Sequence, residues 1–383
     1  MIKTKSGVLI PSDDSKVLVF DGFDHKYKLS NQLCIGDTVC LKRGVVCSKK
    51  EFKINFKFLN KSKHATNIKE VNLPNINSEN LSEWLGLLVA NGCKSKDSVK
   101  FSTNAKPLED RFNFLTKELF GVFPVNRNYS GCGDNIIHSV IVREFLDYLC
   151  GVFKTARYKT VPECVVKGTD EEKRLFLRAL FDCDSSYSNG EFEYSTASES
   201  LVREVHAMLL SKGVVSFLRG SKVKGYGEHL YWKLYVRGEE SDKLFDFVMV
   251  DSLKYSSVVR KKRNTNVDVV YGLFENINEK VLNAKRVLGV KGNGVYAFDG
   301  KKKRFVASKT LNTMNCHNIS YHTLQKVFEN FKNSPNEQKD AIYDLYKKIE
   351  EILENRYFYD KVSNISTSST MTSVPEVYVK ETE

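Results

Sequence analysis

Two hydrophobic periods alternate along the chain, and each change of period marks an element. Thr169 with Glu172 three residues on makes a capping box, and the apolar spacing behind it predicts a helix running through Asp184. Glu191-Phe192-Glu193-Tyr194 alternates as a half-buried strand. Leu201, Val205, Met208 and Leu209 then share one face of a helix that stops at Gly213. Strand-like runs at 214–218 and Leu230–Val236, and a short helix around 243–248, complete the series. Upstream the same order recurs: an apolar helix over 84–92, a strand Val99–Thr103, a helix with Leu108, Phe112, Leu115 and Leu119 ending at Gly121, a hairpin reaching 136–142, and a helix over 144–153.

The recurrence has a fixed offset. Sliding the chain by 93 residues lays Trp84-Leu85-Gly86-Leu87-Leu88-Val89-Ala90-Asn91-Gly92 on Leu177-Arg178-Ala179-Leu180-Phe181-Asp182-Cys183-Asp184-Ser185, and Phe101-Ser102-Thr103 on Tyr194-Ser195-Thr196. The unit is αββαββα, present twice. Gly86 with Ala90, and Ala179 with Cys183, put small side chains four apart on the opening helices. That spacing lets helix backbones approach closely, so the two helices are expected to pack on each other as a pseudo-twofold interface. Ordinary buried helices would explain the hydrophobicity but not the paired small residues. Asp184 falls in a last helical turn, where a carboxylate meets the negative end of the helix dipole; a nearby cation is the expected compensation.

At these residues the sequence resembles the LAGLIDADG homing endonucleases, whose motif forms the paired central helices of a DNA-binding saddle. The resemblance implies that the eighth motif position holds an acid that binds Mg²⁺ near the scissile phosphates; here it is Asp184 in the second copy and Asn91 in the first. Asn91 departs from the family pattern, as does Ser185 in place of the terminal Gly. Hard Mg²⁺ takes oxygen ligands, and Asn offers a single uncharged carbonyl oxygen, so the resemblance implies a weakened metal site. Lys159-Thr160-Val161-Pro162 resembles the K-x-I-P segment of intein endonucleases, whose Lys lies at the active site. Such a Lys can stabilise developing negative charge or orient water; a solvated or phosphate-positioning Lys159 is the other reading. For the matching lysine of the second half, Lys222 and Lys224 are the positions offered.

The flanks resemble the β-rich splicing domain of inteins. Lys5-Ser6-Gly7-Val8-Leu9-Ile10, Val17-Leu18-Val19-Phe20 and the turn Leu33-Cys34-Ile35-Gly36-Asp37-Thr38-Val39 carry the likeness at one end. Tyr357-Phe358-Tyr359-Asp360-Lys361-Val362-Ser363-Asn364-Ile365 and Val377-Tyr378-Val379-Lys380-Glu381-Thr382 carry it at the other, with Asn264-Thr265-Asn266-Val267-Asp268-Val269 and Ile319-Ser320 resembling the connector of large inteins. Splicing needs an N-terminal Cys or Ser, an activating His and a terminal His-Asn. Here the chain starts at Met1, Ser15 stands where the His would be, and Glu383 is the last residue, so no splicing is expected.

Composition adds the partner. The 59 Lys and Arg against 47 Asp and Glu give a net charge of +12, and by counterion release this favours a polyanion, foremost nucleic acid. A chain of 383 residues with 41% apolar and 28% charged residues and only 7 Pro suits two or three globular domains. No apolar window approaches the roughly 18 residues of a membrane span, and no apolar signal-peptide core follows Met1, so no membrane partner and a cytoplasmic or nuclear location are expected. Nine Cys with no C-x-x-C pair suggest neither a disulfide framework nor a zinc knuckle, and Cys316-His317 with His322 lacks a second Cys at zinc spacing. The tract 49–69 interleaves Lys with Phe52, Phe56 and Phe58, as a phosphate-tracking strand would or a sheet edge guarded by Lys. Arg260-Lys261-Lys262-Arg263 and Lys301-Lys302-Lys303-Arg304 are open in the same way.

The expected architecture is α+β and monomeric. A β-rich Hedgehog/intein-like segment (1–70) precedes two fused pseudo-symmetric LAGLIDADG halves (78–165 and 166–262), a mainly helical connector (263–356) and a C-terminal β return (357–383). The expected function is binding of double-stranded DNA at a long asymmetric target site, with Mg²⁺-dependent phosphodiester hydrolysis impaired or strand-biased by Asn91. A DNA-binding protein without catalysis is the alternative. Asp184, Asn91 and Lys159 are the catalytic positions, the first two also metal ligands; Lys100, Ser102, Arg127, Glu193, Ser195, Lys222, Lys224, Lys233, Lys261, Lys262 and Arg263 are the DNA-contacting ones.

Overall fold

The computed structural model describes residues 2–10, 13–44, 51–58, 71–129, 132–151, 155–223, 228–260, 267–287, 296–298, 305–307, 318–332 and 343–366. They form two compact units, one of Met1–Arg43 with Arg263–Thr370, the other centred on Gly44–Lys262. Among the described residues no helix is long and apolar enough to cross a membrane.

The first unit is built on a six-stranded sheet. β1 (Ile2–Thr4), β2 (Leu9–Ile10), β3 (Lys16–Phe20), β4 (His25–Leu29) and β5 (Thr38–Leu41) are joined by the strand Phe358–Ile365, which lies between β1 and β5 and is antiparallel to both. Ile2 pairs with Ile365, and Cys40 with Tyr359. Ile2, Val19, Val39 and Val362 close the core on one face. In the turn before β5, Gly36 has φ +98°, a backbone that favours glycine even where space is open, and the Asp37 carboxylate accepts from the Cys34 amide at 2.8 Å and from Lys28 at 2.7 Å. A second core joins Phe20 and Tyr359 to Val270, Leu273, Ile277, Ile319, Leu324, Ile349 and Ile352, drawn largely from helices Leu273–Val287, Tyr321–Lys332 and Tyr343–Asn355. Segments 264–266 and 377–382, singled out in the sequence, lie outside the described residues, as do 301–304 and Cys316-His317.

The second unit begins earlier than the expected boundary near residue 70. Ile54 is buried in its core, its amide donating to the Asn75 carbonyl at 2.7 Å, and the Phe56 ring meets Phe145 edge-on at 5.5 Å. The aromatic residues of the Lys-rich tract therefore anchor it to a core, and hydrophobic burial overrides the surface-strand reading. From there run α1 (Glu79–Asn91), β6 (Gly92–Lys94), β7 (Val99–Thr103), α2 (Lys106–Phe120), β8 (Val125–Tyr129), β9 (Cys132–Ile137) and α3 (Val140–Cys150). After the short α4 (Glu163–Val166) come α5 (Asp170–Asp184), β10 (Ser185–Ser188), β11 (Glu191–Thr196), α6 (Glu199–Ser211), β12 (Phe217–Lys222), β13 (Leu230–Val236) and α7 (Glu239–Phe247).

Three boundaries differ from the sequence reading. β9 stops at Ile137 and α3 starts at Val140, because Ser139 caps it through its Oγ, which accepts from the Val142 amide at 3.3 Å. The β-branched run 140–142, read as strand, is helical because its burial follows the helix period. In the second half Val214 and Val215 are buried ahead of β12, which starts only at Phe217. α7 starts at Glu239, ahead of the expected 243.

Helices α1 and α5 lie against each other along their small residues. A Cβ on Gly86 would come within 2.6 Å of the Phe176 carbonyl oxygen and 2.9 Å of the Ala179 Cβ, so no larger side chain fits there without moving a helix. Across this contact Glu83 of α1, 2% exposed, accepts from Arg178 of α5 at 2.5 Å and from Arg111 of α2 through two bonds of 2.8 and 2.6 Å. The two sheets have corresponding orders, β6-β7-β9-β8 and β10-β11-β13-β12.

His206 of α6 is fully enclosed, its Nδ1 2.7 Å from the Ser216 Oγ, and burial pulls its pKa down to about 4. An imidazole held neutral in the fold but ordinary when unfolded contributes stability above pH 6.5, lost as pH falls toward 4. Relative to His206→Gln, the wild-type protein is expected to lose about 2 kcal/mol between pH 7 and pH 5 in urea unfolding. Parallel curves for the two proteins would exclude this.

Candidate catalytic site and nucleic-acid interface

α1 and α5 end where the chemistry was expected. Asn91 and Asp184 are their last residues, and in each case the next residue opens a strand, Gly92 for β6 and Ser185 for β10. Neither helix has a basic residue in its last turn. The carbonyls exposed there are met instead by lysines from other segments. Lys159 Nζ donates to the carbonyl oxygens of Val89 at 2.7 Å, Ala90 at 2.9 Å and Gly92 at 3.3 Å. Lys254 Nζ donates to the Ser185 carbonyl, which also accepts from the Tyr255 hydroxyl at 2.7 Å.

The two ends share one electrostatic neighbourhood. Burial pushes the Asp184 carboxyl up to about 6, against the pull of the Lys159 and Lys254 ammonium groups, and the same burial lowers Lys159 below its ordinary value while Asp184 opposes. Two lysines are thus the cations that offset a carboxylate at a helix C-terminus. Lys254 was missed by the sequence reading. It stands 95 residues after Lys159, so a two-residue shift hides it from the 93-residue frame. Lys222, offered for that role, is at the exposed tip of β12 in an ion pair with Glu228; Lys224 lies outside the described residues.

Both lysine-bearing segments are braced. The Ser198 Oγ of α6 donates to the Lys159 carbonyl at 2.6 Å, and Glu204 accepts from the Val161 amide at 2.5 Å. On the other side the buried Asp182 accepts from the Ser252 hydroxyl and from the Leu253 amide at 3.1 Å.

The outward sheet faces carry most of the expected contact residues. Val99, Phe101 and Thr103 are buried, which turns Lys100 and Ser102 to the other face. Both meet Asp134 of β9, Lys100 at 2.9 Å and Ser102 at 2.6 Å, and exposed Arg127 of β8 is in register with Asp134. In the second sheet Phe192 and Tyr194 are buried, while Glu193 bonds to Lys233 at 2.7 Å and Ser195 to Glu193 at 3.4 Å. Arg219 of β12, opposite Lys233, and Tyr231 and Tyr235 of β13 share that face and were not singled out in the sequence. Lys222 does not join them, since alternation along β12 puts it on the side of Leu218. Lys261, Lys262 and Arg263 lie outside the described residues.

Among the described residues no three His, Cys, Asp or Glu side chains converge as a metal-binding group. Asp184 supplies one carboxylate, raised by burial and therefore poised to gain from a cation, and Asn91 one amide oxygen. That donor set fits a hard divalent ion that takes its remaining ligands from phosphate and water.

The family profile described as a LAGLIDADG-like domain matches residues 171–248, which run from α5 through α7. Among curated proteins, the chain is 28% identical over 201 residues to the replication factor C small subunit of Methanocaldococcus jannaschii, covering 50% of this chain and 11% of that protein. It is 30% identical over 221 residues to the replication factor C small subunit of Thermococcus kodakarensis (55% and 25%), and 28% identical over 177 residues to an A-type ATP synthase component of Pyrococcus abyssi (45% and 17%). The chain thus spans a quarter or less of the length of these relatives. Of solved structures, the homing endonuclease I-DmoI in complex with DNA and Mn aligns at TM-score 0.36 and 14% identity over 48% of this chain and all of that one. The N-terminal LAGLIDADG domain of DUF199/WhiA aligns at TM-score 0.32 and 16% identity over 48% and 83%.

Proposed function

We propose that the second unit binds a long, asymmetric double-stranded DNA site and, with Mg²⁺, hydrolyses phosphodiester bonds with a bias to one strand. The observation that carries this reading is the meeting of Asp184, Lys159 and Lys254 at the ends of α1 and α5, from which the first strands of both sheets depart. A two-stranded β-ribbon fits the major groove, and its side chains reach base edges there. Mg²⁺, held at one helix end by Asp184 and at the other by Asn91, would supply Lewis-acid polarisation of the scissile phosphates. The lysines hold positive charge where negative charge develops. Because Asn91 brings no charge, the bias falls toward the Asp184 end. The β-rich first unit is read as a splicing-domain remnant, supported by its returning strand Phe358–Ile365.

Binding is tested on a duplex selected from a random pool. With six or more phosphates neutralised, affinity is expected to fall about a thousandfold between 50 and 200 mM salt. Equal affinity for all duplexes at every salt concentration would overturn site recognition. Binding without nicking of a supercoiled plasmid carrying the selected site would favour the non-catalytic reading.

A further inference from the structure

The registers of the two sheets correspond position by position. Cys93 pairs with Lys100 and Phe101 with Asn135 in the first sheet, as Ser186 pairs with Glu193 and Tyr194 with Leu234 in the second. Ser102 lies opposite Asp134, and Arg127 opposite Asp134, as Ser195 and Arg219 lie opposite Lys233. In this frame Lys100 answers to Glu193 and Asp134 to Lys233. Each sheet therefore holds one diagonal ion pair on its outward face, 2.9 Å in the first and 2.7 Å in the second, with the charges exchanged between strands. Two neighbours are the same, Ser102 answering to Ser195 and Arg127 to Arg219, and the serine donates to the acid in both sheets although the acid has moved to the other strand, whereas Cys93 and Ile136 opposite Lys100 answer to Ser186 and Tyr235 opposite Glu193. The exchange is confined to two positions and leaves net charge unaltered.

We propose that this exchanged pair makes the two sheets select opposite bases at corresponding positions of the duplex, Lys100 and Lys233 reading guanine where Glu193 and Asp134 read cytosine. In the major groove guanine offers the O6 and N7 acceptors that an ammonium satisfies, and cytosine the N4 donor that a carboxylate accepts. The members of each pair stand diagonally on neighbouring strands, where backbone positions are about 7–8 Å apart and close to two base steps, so once the ion pair opens on the duplex they address separate base pairs. The solvent access of all four side chains, 17 to 38%, leaves them able to reach a ligand. The inference rests on the duplex-binding reading above and adds where its asymmetry comes from.

The test converts one sheet to the polarity of the other. Glu193→Lys with Lys233→Asp restores an ion pair in reversed order, and Lys100→Glu with Asp134→Lys does the same in the first sheet, so the result does not depend on one variant folding. Wild-type and variant proteins each select duplexes from a random pool, and affinities are measured for the wild-type site and for the site with G·C and C·G exchanged at the two base pairs concerned. The wild-type protein is expected to prefer its own site by about tenfold or more, and the variant to reverse that preference at an unchanged salt slope. Variants that select the wild-type bases with the wild-type affinity ratio overturn the inference alone. Failure of every protein to enrich any duplex overturns the duplex-binding reading and the inference with it.

Discussion

Asp184→Asn is expected to leave a supercoiled target plasmid intact in Mg²⁺, with nicking reduced by about a hundredfold or more and DNA affinity unchanged or tighter. Asp184 is the carboxylate that the helix ends themselves contribute, and among the described residues no other acidic cluster could take its place. The amide keeps the shape but gives up the charge needed to strip water from Mg²⁺. Affinity should not suffer, because a charge that repels phosphate is removed. The reciprocal change, Asn91→Asp, should raise the rate roughly tenfold or more, since the added carboxylate would stand at the helix end that Lys159 already occupies. If Asp184→Asn cleaves normally and Asn91→Asp changes nothing, the helix ends do not carry the chemistry.

The second large effect is on stability. Glu83→Ala should cost about 3–5 kcal/mol in urea unfolding, because it leaves Arg178, 6% exposed, without the carboxylate that neutralises it between α1 and α5. Replacing both members of the contact by apolar residues, Glu83→Leu with Arg178→Met, should recover most of the loss, since desolvating two charges offsets much of their attraction. A double variant as unstable as the single one would show that the pair does more than cancel its own burial.

The paired helices were legible because their small residues recur at one spacing in both copies, and Gly86 against Ala179 is the contact that spacing requires. The capping box at Thr169 was legible because it is local. What the sequence hid depends on contacts between segments far apart. Lys254 falls outside the repeat frame, and its role emerges only once the loop held by Asp182 returns it to the end of α5. Lys100 and Glu193 were recognisable as outward-facing, but the exchange of charge between them required the register of β9 and β13. Val140 to Val142 misled because β-branched residues favour strands in isolation, whereas the cap at Ser139 and burial of Val142 decide for helix.

The place of the strand Phe358–Ile365 between β1 and β5 bears on how the protein is made. Among the described residues, all partners of the second unit's sheets and core have been synthesised by residue 262, so they can fold while the chain is still on the ribosome. The six-stranded sheet cannot: β1 and β5 wait for a central strand roughly 300 residues later, on the order of tens of seconds at ribosomal speed. During that interval their edges are unpaired, and Ile2, Val39 and Phe20 lack the residues that later cover them. Nascent chains of this protein thus pass through a period in which a finished insert hangs from an unfinished host, the stage at which a chaperone has most to protect.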